Sequence, residues 1–156
     1  MRKLTKSIVA AVAALTLSSA FAQTVKTEDQ AKKVIKHRQS VFTLLASNMG
    51  PLGAMAKGKM PLESSKIEKY ATRIEQLSLM MPDYTKFDTS HFKLKTEALP
   101  KIWQEPAKFA EKVQALQKAA AHLRSVANSG DKSTIKKAIG GVGRSCKGCH
   151  DAFKAE

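Results

Sequence analysis

Apolar positions along this chain recur every three to four residues and show no sustained alternation, so the pattern predicts helices and no strands. The first helix is expected to start at the stretch TEDQ, where Thr27 and Gln30 make a capping box. Val34, Ile35, Val41, Phe42 and Leu45 follow at helical spacing, and Gly50-Pro51 is expected to stop it. A Gly- and Met-rich connection leads to a second helix, with Ser65 and Glu68 as a further capping box. Ile67, Ala71, Ile74, Leu77 and Leu79 supply much of its apolar face, and Met81-Pro82 is expected to end it. Residues 82–104 read as irregular, apart from a short turn at Ile102-Trp103. A third helix starts near Glu105-Pro106, where proline suits the first helical position. It carries Phe109, Val113, Leu116, Ala120, Leu123 and Val126, and stops at Asn128-Ser129-Gly130. The fourth, capped by Asp131 or Ser133, runs through Ile135, Ile139 and Val142 to the C-terminus. Four amphipathic helices with mostly short connections predict an all-α fold, an antiparallel four-helix bundle. Gly140, Gly141 and Gly143 inside the fourth helix cost about 1 kcal/mol each relative to alanine. Close packing against something flat and bulky would account for them.

The start of the chain follows a different pattern. A basic MRKLTK is followed by the apolar run SIVAAVAALTL and then SSAFA, with Ala20 and Ala22 in the small-residue positions that signal peptidase accepts. The run is shorter than the ~20 residues a spanning helix needs. It reads as a signal peptide, residues 1–22, cleaved before Gln23. Removing 22 of 156 residues leaves 134, one domain over residues 23–156. The formal net charge of +14 falls to about +11 once Arg2, Lys3 and Lys6 leave. An exported chain does not normally meet nucleic acid, so this charge points to acidic protein partners, to anionic lipid surfaces or to solvated helix faces. No other apolar run is long enough to span a membrane. No catalytic acid–base pair or second metal site is legible, so the chain does not read as an enzyme.

The chemistry is concentrated in RSCKGCHDAFKAE, residues 144–156. Cys146 and Cys149 are the only two cysteines. Three residues apart in a helix, two thiols share one face. A redox dithiol expects a βαβ context, which is missing, and a zinc site wants about four ligands. C-K-G-C-H instead matches the C-x-x-C-H pattern of covalent haem attachment. The thiols add to two haem vinyl groups, and His150 then lies under the iron as an axial ligand. The implied cofactor is one haem c, and export agrees with its attachment outside the cytoplasm.

A haem motif in the last helix of a four-helix bundle resembles the class II c-type cytochromes, cytochrome c′ in particular. The stretches HRQSVFTLLASNMG, KIW with PAKFAEKVQALQ, and GGVGRSCKGCHDAFK carry the resemblance across the mature chain. It implies that Phe42 covers the distal haem face, that Arg38 lies near a propionate, and that Gln39 is beside it. Phe42 has no lone pair to donate, so the iron is expected to be five-coordinate and high-spin. The implied function is binding of NO, and of CO more weakly, in the periplasm, with an electron-transfer role and an acidic redox partner alongside. A homodimer formed through the first two helices is also implied. The alternative is a low-spin electron carrier with a methionine sixth ligand. Met49 lies seven residues beyond Phe42, ~10 Å along the helix; Met55 and Met60 would have to fold back. His37, His91 and His122 are expected to be exposed. Lys154 stands where relatives often have an arginine near the axial imidazole, and Phe153 is expected to pack on the proximal side.

Overall fold

The computed structural model describes residues 23–155, and the expected signal peptide lies outside them. Five helices follow in order: α1 (Glu28–Ala56), α2 (Ser64–Thr85), the one-turn α3 (Lys101–Gln104), α4 (Pro106–Val126) and α5 (Lys132–Phe153). The four long helices are the expected bundle, and α3 is the expected turn at Ile102-Trp103. Among the described residues no helix is long and apolar enough to cross a membrane.

Local sequence explains most of the boundaries. Thr27 caps α1 by accepting from the Gln30 amide at 3.3 Å, while the Gln30 side chain accepts from the Lys26 amide at 3.2 Å. Pro106 opens α4 at a position where its missing N–H costs nothing. Asp131 caps α5 by accepting from the Ser133 amide at 2.8 Å. Gly130, at φ 75°, makes the left-handed turn between α4 and α5.

Two expected stops fail, and tertiary packing is the reason in both cases. α1 passes through Pro51 to Ala56 because Leu52 and Met55, both wholly buried, bring its last turns into the core. α2 passes through Pro82 to Thr85. A proline leaves the carbonyl four residues earlier without its helical donor. Here that carbonyl belongs to Ser78, and the Gln117 side chain on α4 donates to it at 3.3 Å. The expected cap at Ser65 is also absent. The cap lies two residues earlier, at Glu63, which makes no side-chain capping bond and pairs with Lys66 instead at 2.8 Å.

A pair of two-residue strands, β1 (Gln23–Thr24) and β2 (Phe87–Asp88), runs parallel, with Gln23 opposite Phe87 and Thr24 opposite Asp88. The periodicity does not foresee it, since two residues are too few to alternate. A backbone ladder further on joins residues 97–99 to the C-terminus. The Leu99 amide donates to the Phe153 carbonyl at 3.0 Å, and the Ala155 amide to the Glu97 carbonyl at 2.7 Å.

Helix directions follow from cross-helix contacts. Glu75 and Ser78 on α2 meet Arg124 and Gln117 on α4, and Glu68 meets Asn128 just past the end of α4, so these helices are antiparallel. Phe109, early in α4, meets Phe153, late in α5, edge-on at 5.2 Å between ring centroids. With the short turn between α1 and α2, this makes α1 and α5 antiparallel as well. Leu52, Met55, Ile67, Ala71, Leu123 and Ile139 fill one end of the bundle with almost no exposure. A large hollow runs alongside this packing, from Arg38 to Lys59 along the first helix and its end.

Candidate haem site

That hollow measures about 1390 Å³ and is lined from α1, α2, α4, α5 and residues 95–98. It is larger than the roughly 300–1,000 Å³ of most small-molecule pockets. Leu45, Ile74, Met81, Phe109, Leu116 and Val142 make much of its wall apolar. The C-x-x-C-H stretch of α5 forms one side, with Cys146, Cys149 and His150 all on the lining.

Both thiols are half-buried and free. Burial raises the pKa of Cys146, and it pushes Cys149 up to about 11, with Cys146 adding to the rise and Lys112 opposing it. They therefore keep their protons at neutral pH, which makes them poor partners for thiol exchange. Among the described residues no group of three or more His, Cys, Asp and Glu side chains converges so as to hold a metal ion. The two thiols instead face a wide apolar space, which suits a flat macrocycle.

Arg38 provides a second test of fit. It lines the hollow yet is only 2 % exposed. Its Nη2 donates to Thr89 Oγ1 at 3.0 Å, and its Cζ lies 5.2 Å from the centre of the Trp103 ring. Burial lowers its pKa, and the charge of Asp88 works against that. Nη1 is buried with no partner. A buried guanidinium with an unmet donor beside an apolar hollow matches a haem propionate in charge and geometry. Gln39, next along α1, also lines the hollow but is exposed.

The register between α1 and α5 decides what stands opposite His150. The Met49 methyl lies 3.8 Å from where a Cβ on Gly143 would be. Because the helices are antiparallel, seven residues back along α1 and seven forward along α5 lead to the same level. Phe42 and His150 are therefore level across the cavity, and Met49 is offset from them by ~10 Å. Phe42 is half-buried on the lining. Met55 belongs to the filled end, and Met60 is exposed at 36 %.

His37, His91 and His122 are exposed and none lines the hollow. His91 Nε2 lies 3.1 Å from the Val25 carbonyl, and His37 stands edge-on to Tyr84. Lys154 lines the hollow, with its Nζ 3.0 Å from Glu97. Phe153 is buried against Phe109. The glycines of α5 are a correction: Gly140, Gly141 and Gly143 do not line the hollow. The nearest atoms to their missing Cβ positions are Arg144 and Met49 side-chain tips at 3.3–3.8 Å. Thr89 and the contact of Trp103 with Arg38 were not foreseen. The chain's sole tryptophan, inside the expected short turn, was the one available hint.

The family model described as Cytochrome C' matches residues 33–154. The chain is 35 % identical to the cytochrome c' of Alcaligenes xylosoxydans xylosoxydans over 135 residues, covering 85 % of this chain and 98 % of that one. Among solved structures it is similar to cytochrome c prime from Shewanella frigidimarina, at 40 % identity and a TM-score of 0.73, covering 84 % of this chain and all of that one. A nitric oxide complex of a point mutant of the Alcaligenes xylosoxidans protein matches at 32 % identity and a TM-score of 0.69, covering 81 % of this chain and 97 % of that one.

Proposed function

The chain belongs to the cytochrome c′ family, with haem c bound covalently through Cys146 and Cys149, and on that premise we propose that it binds nitric oxide in the periplasm. His150 would be the single protein ligand to the iron. When bound, the haem supplies an iron centre that a neutral diatomic ligand can join on the face away from His150.

The chain's own residues set the terms of that binding. Phe42 stands level with His150 across the hollow and can neither ligate nor donate a hydrogen bond. With haem bound, it would offer no ligand on the face opposite His150, which fits a five-coordinate, high-spin iron, and it would screen that face from water. An incoming molecule has to displace the ring, which slows CO. Phe42 offers no hydrogen-bond donor to a polar ligand such as O₂, which would favour NO. Arg38 and Gln39 take the propionate side. The relative solved as a nitric oxide complex supports this choice of ligand.

The level of Phe42 with His150 is the observation that carries the reading. Met49, also on the lining, favours the second reading, a low-spin electron carrier. The test is the optical spectrum of the holoprotein, ferric and ferrous, before and after CO and NO. A broad high-spin spectrum that shifts with NO supports gas binding. Sharp low-spin bands unchanged by CO mean that a second protein ligand already holds the sixth site, and electron transfer replaces gas binding.

A homodimer through α1 and α2 completes the proposal. Leu44 on α1 and Leu79 and Met80 on α2 are 50 %, 60 % and 40 % exposed, an apolar display that a second copy would cover. An electron-transfer role with an acidic partner is compatible with the net charge of about +11 that remains once Arg2, Lys3 and Lys6 leave with the signal peptide.

A further inference from the structure

Arg38 is held by side chains from separate parts of the chain, and their arrangement goes beyond simple burial. Trp103, on α3, lies against the guanidinium at 5.2 Å from ring centre to Cζ. Its own indole N–H donates to the Thr85 carbonyl at 2.8 Å, which pins the ring to the end of α2. Thr89, just past β2, is 1 % exposed and accepts from Nη2 at 3.0 Å. Asp88 is close enough to favour the charge but makes no ion pair with Arg38, and its carboxylate accepts from the Ser90 amide. The cation is thus oriented by a π face and a hydroxyl, with Nη1 buried and without a partner.

We propose that Trp103 and Thr89 are positioning residues that aim Arg38 Nη1 at a haem propionate. The proposal rests on the propionate contact read above and adds what enforces it. A flexible arginine would pay side-chain entropy to make this contact and would share its charge with water. Stacked and hydrogen-bonded, it is set before haem arrives, so its charge acts in full on one carboxylate. Titratable groups facing the same hollow are Lys57, Lys59, Lys95, Glu97, Lys112, His150 and Lys154. Glu97 is the only protein carboxylate among them, and it is paired with Lys154 at 3.0 Å.

The experiment is the reduction potential of the holoprotein as a function of pH, by spectroelectrochemistry. A propionate beside Arg38 stays ionised well below its ordinary range, so its step in the profile lies at low pH. R38Q moves that step up by about one to three pH units. W103L moves it most of the same way, and T89V moves it part of the way. W103F, which keeps an aromatic face, leaves it near the wild-type position. R38Q/W103L moves it no further than R38Q, because Trp103 acts through Arg38. E97Q and D88N leave the step in place and so exclude Glu97 on the lining and Asp88 beside Arg38 as its source. If R38Q moves the step and W103L does not, the propionate contact stands and the positioning role falls. If R38Q is silent, the contact itself fails and the proposal with it. A double variant that exceeds R38Q overturns the claim that Trp103 works through the arginine.

Discussion

Replacing Gly143 by alanine is predicted to stabilise the protein. A glycine in a helix interior costs about 0.8–1 kcal/mol relative to alanine. The new Cβ would meet the Met49 methyl at 3.8 Å, ordinary van der Waals contact, so no packing penalty offsets the gain. Gly140 and Gly141 face only the tips of the Arg144 side chain, at 3.3 and 3.8 Å, and an exposed arginine can move aside. The single change is therefore worth about 1 kcal/mol and the triple about 2–3 kcal/mol, if the sites add. Urea unfolding of the holoprotein reads this as a later midpoint at unchanged slope, and a thermal scan as a rise of about 2–8 °C for the single change. Gly130→Ala is the control of opposite sign, because φ 75° there costs a side chain roughly 1–2 kcal/mol. The reasoning is refuted if Gly143→Ala weakens the holoprotein while stabilising the haem-free chain. That result would mean the glycine keeps space for the haem, as its place in the sequence suggested.

Three further predictions test other parts of the account. Phe42→Met puts a thioether level with His150, and the ferric spectrum should change from broad high-spin to sharp low-spin with loss of CO binding; an unchanged spectrum would refute the register between α1 and α5. Leu52→Ala removes a wholly buried side chain and should cost about 2–5 kcal/mol in urea unfolding, whereas a loop residue after a helix stopped at Gly50 would cost little. Hydrogen bonds from Thr134 and Ser133 hold the Asp131 carboxyl below its usual range. Its contribution is therefore present above the unfolded carboxylate pKa of about 3.9 and is lost as pH falls through the lower folded value. Asp131→Asn should flatten that acid limb of the stability curve, as followed by circular dichroism.

Where local chemistry decided the outcome, the sequence was enough to see it. The spacing of Cys146, Cys149 and His150 within one helical stretch names the haem attachment, because the three residues need no other part of the fold to be neighbours. The 3.6-residue periodicity, Thr27, Asp131, and Pro106 at a helix start gave the bundle and most of its ends, since each acts over one turn. The failures were at Pro51 and Pro82, which read as stops. A proline ends a helix only if the bond it forfeits is not replaced, and the replacements came from afar: Leu52 and Met55 drawn into the core, and Gln117 reaching the Ser78 carbonyl from another helix. Arg38 looks like any cation on a polar stretch, and what buries it lies about fifty and sixty-five residues away, at Thr89 and Trp103. The level of Phe42 with His150 is likewise a property of how α1 and α5 slide against each other. Covalent attachment and helix formation are set by neighbours in the chain. Burial of a charge and alignment of two helix faces are set by neighbours in space, and only the packed bundle supplies those.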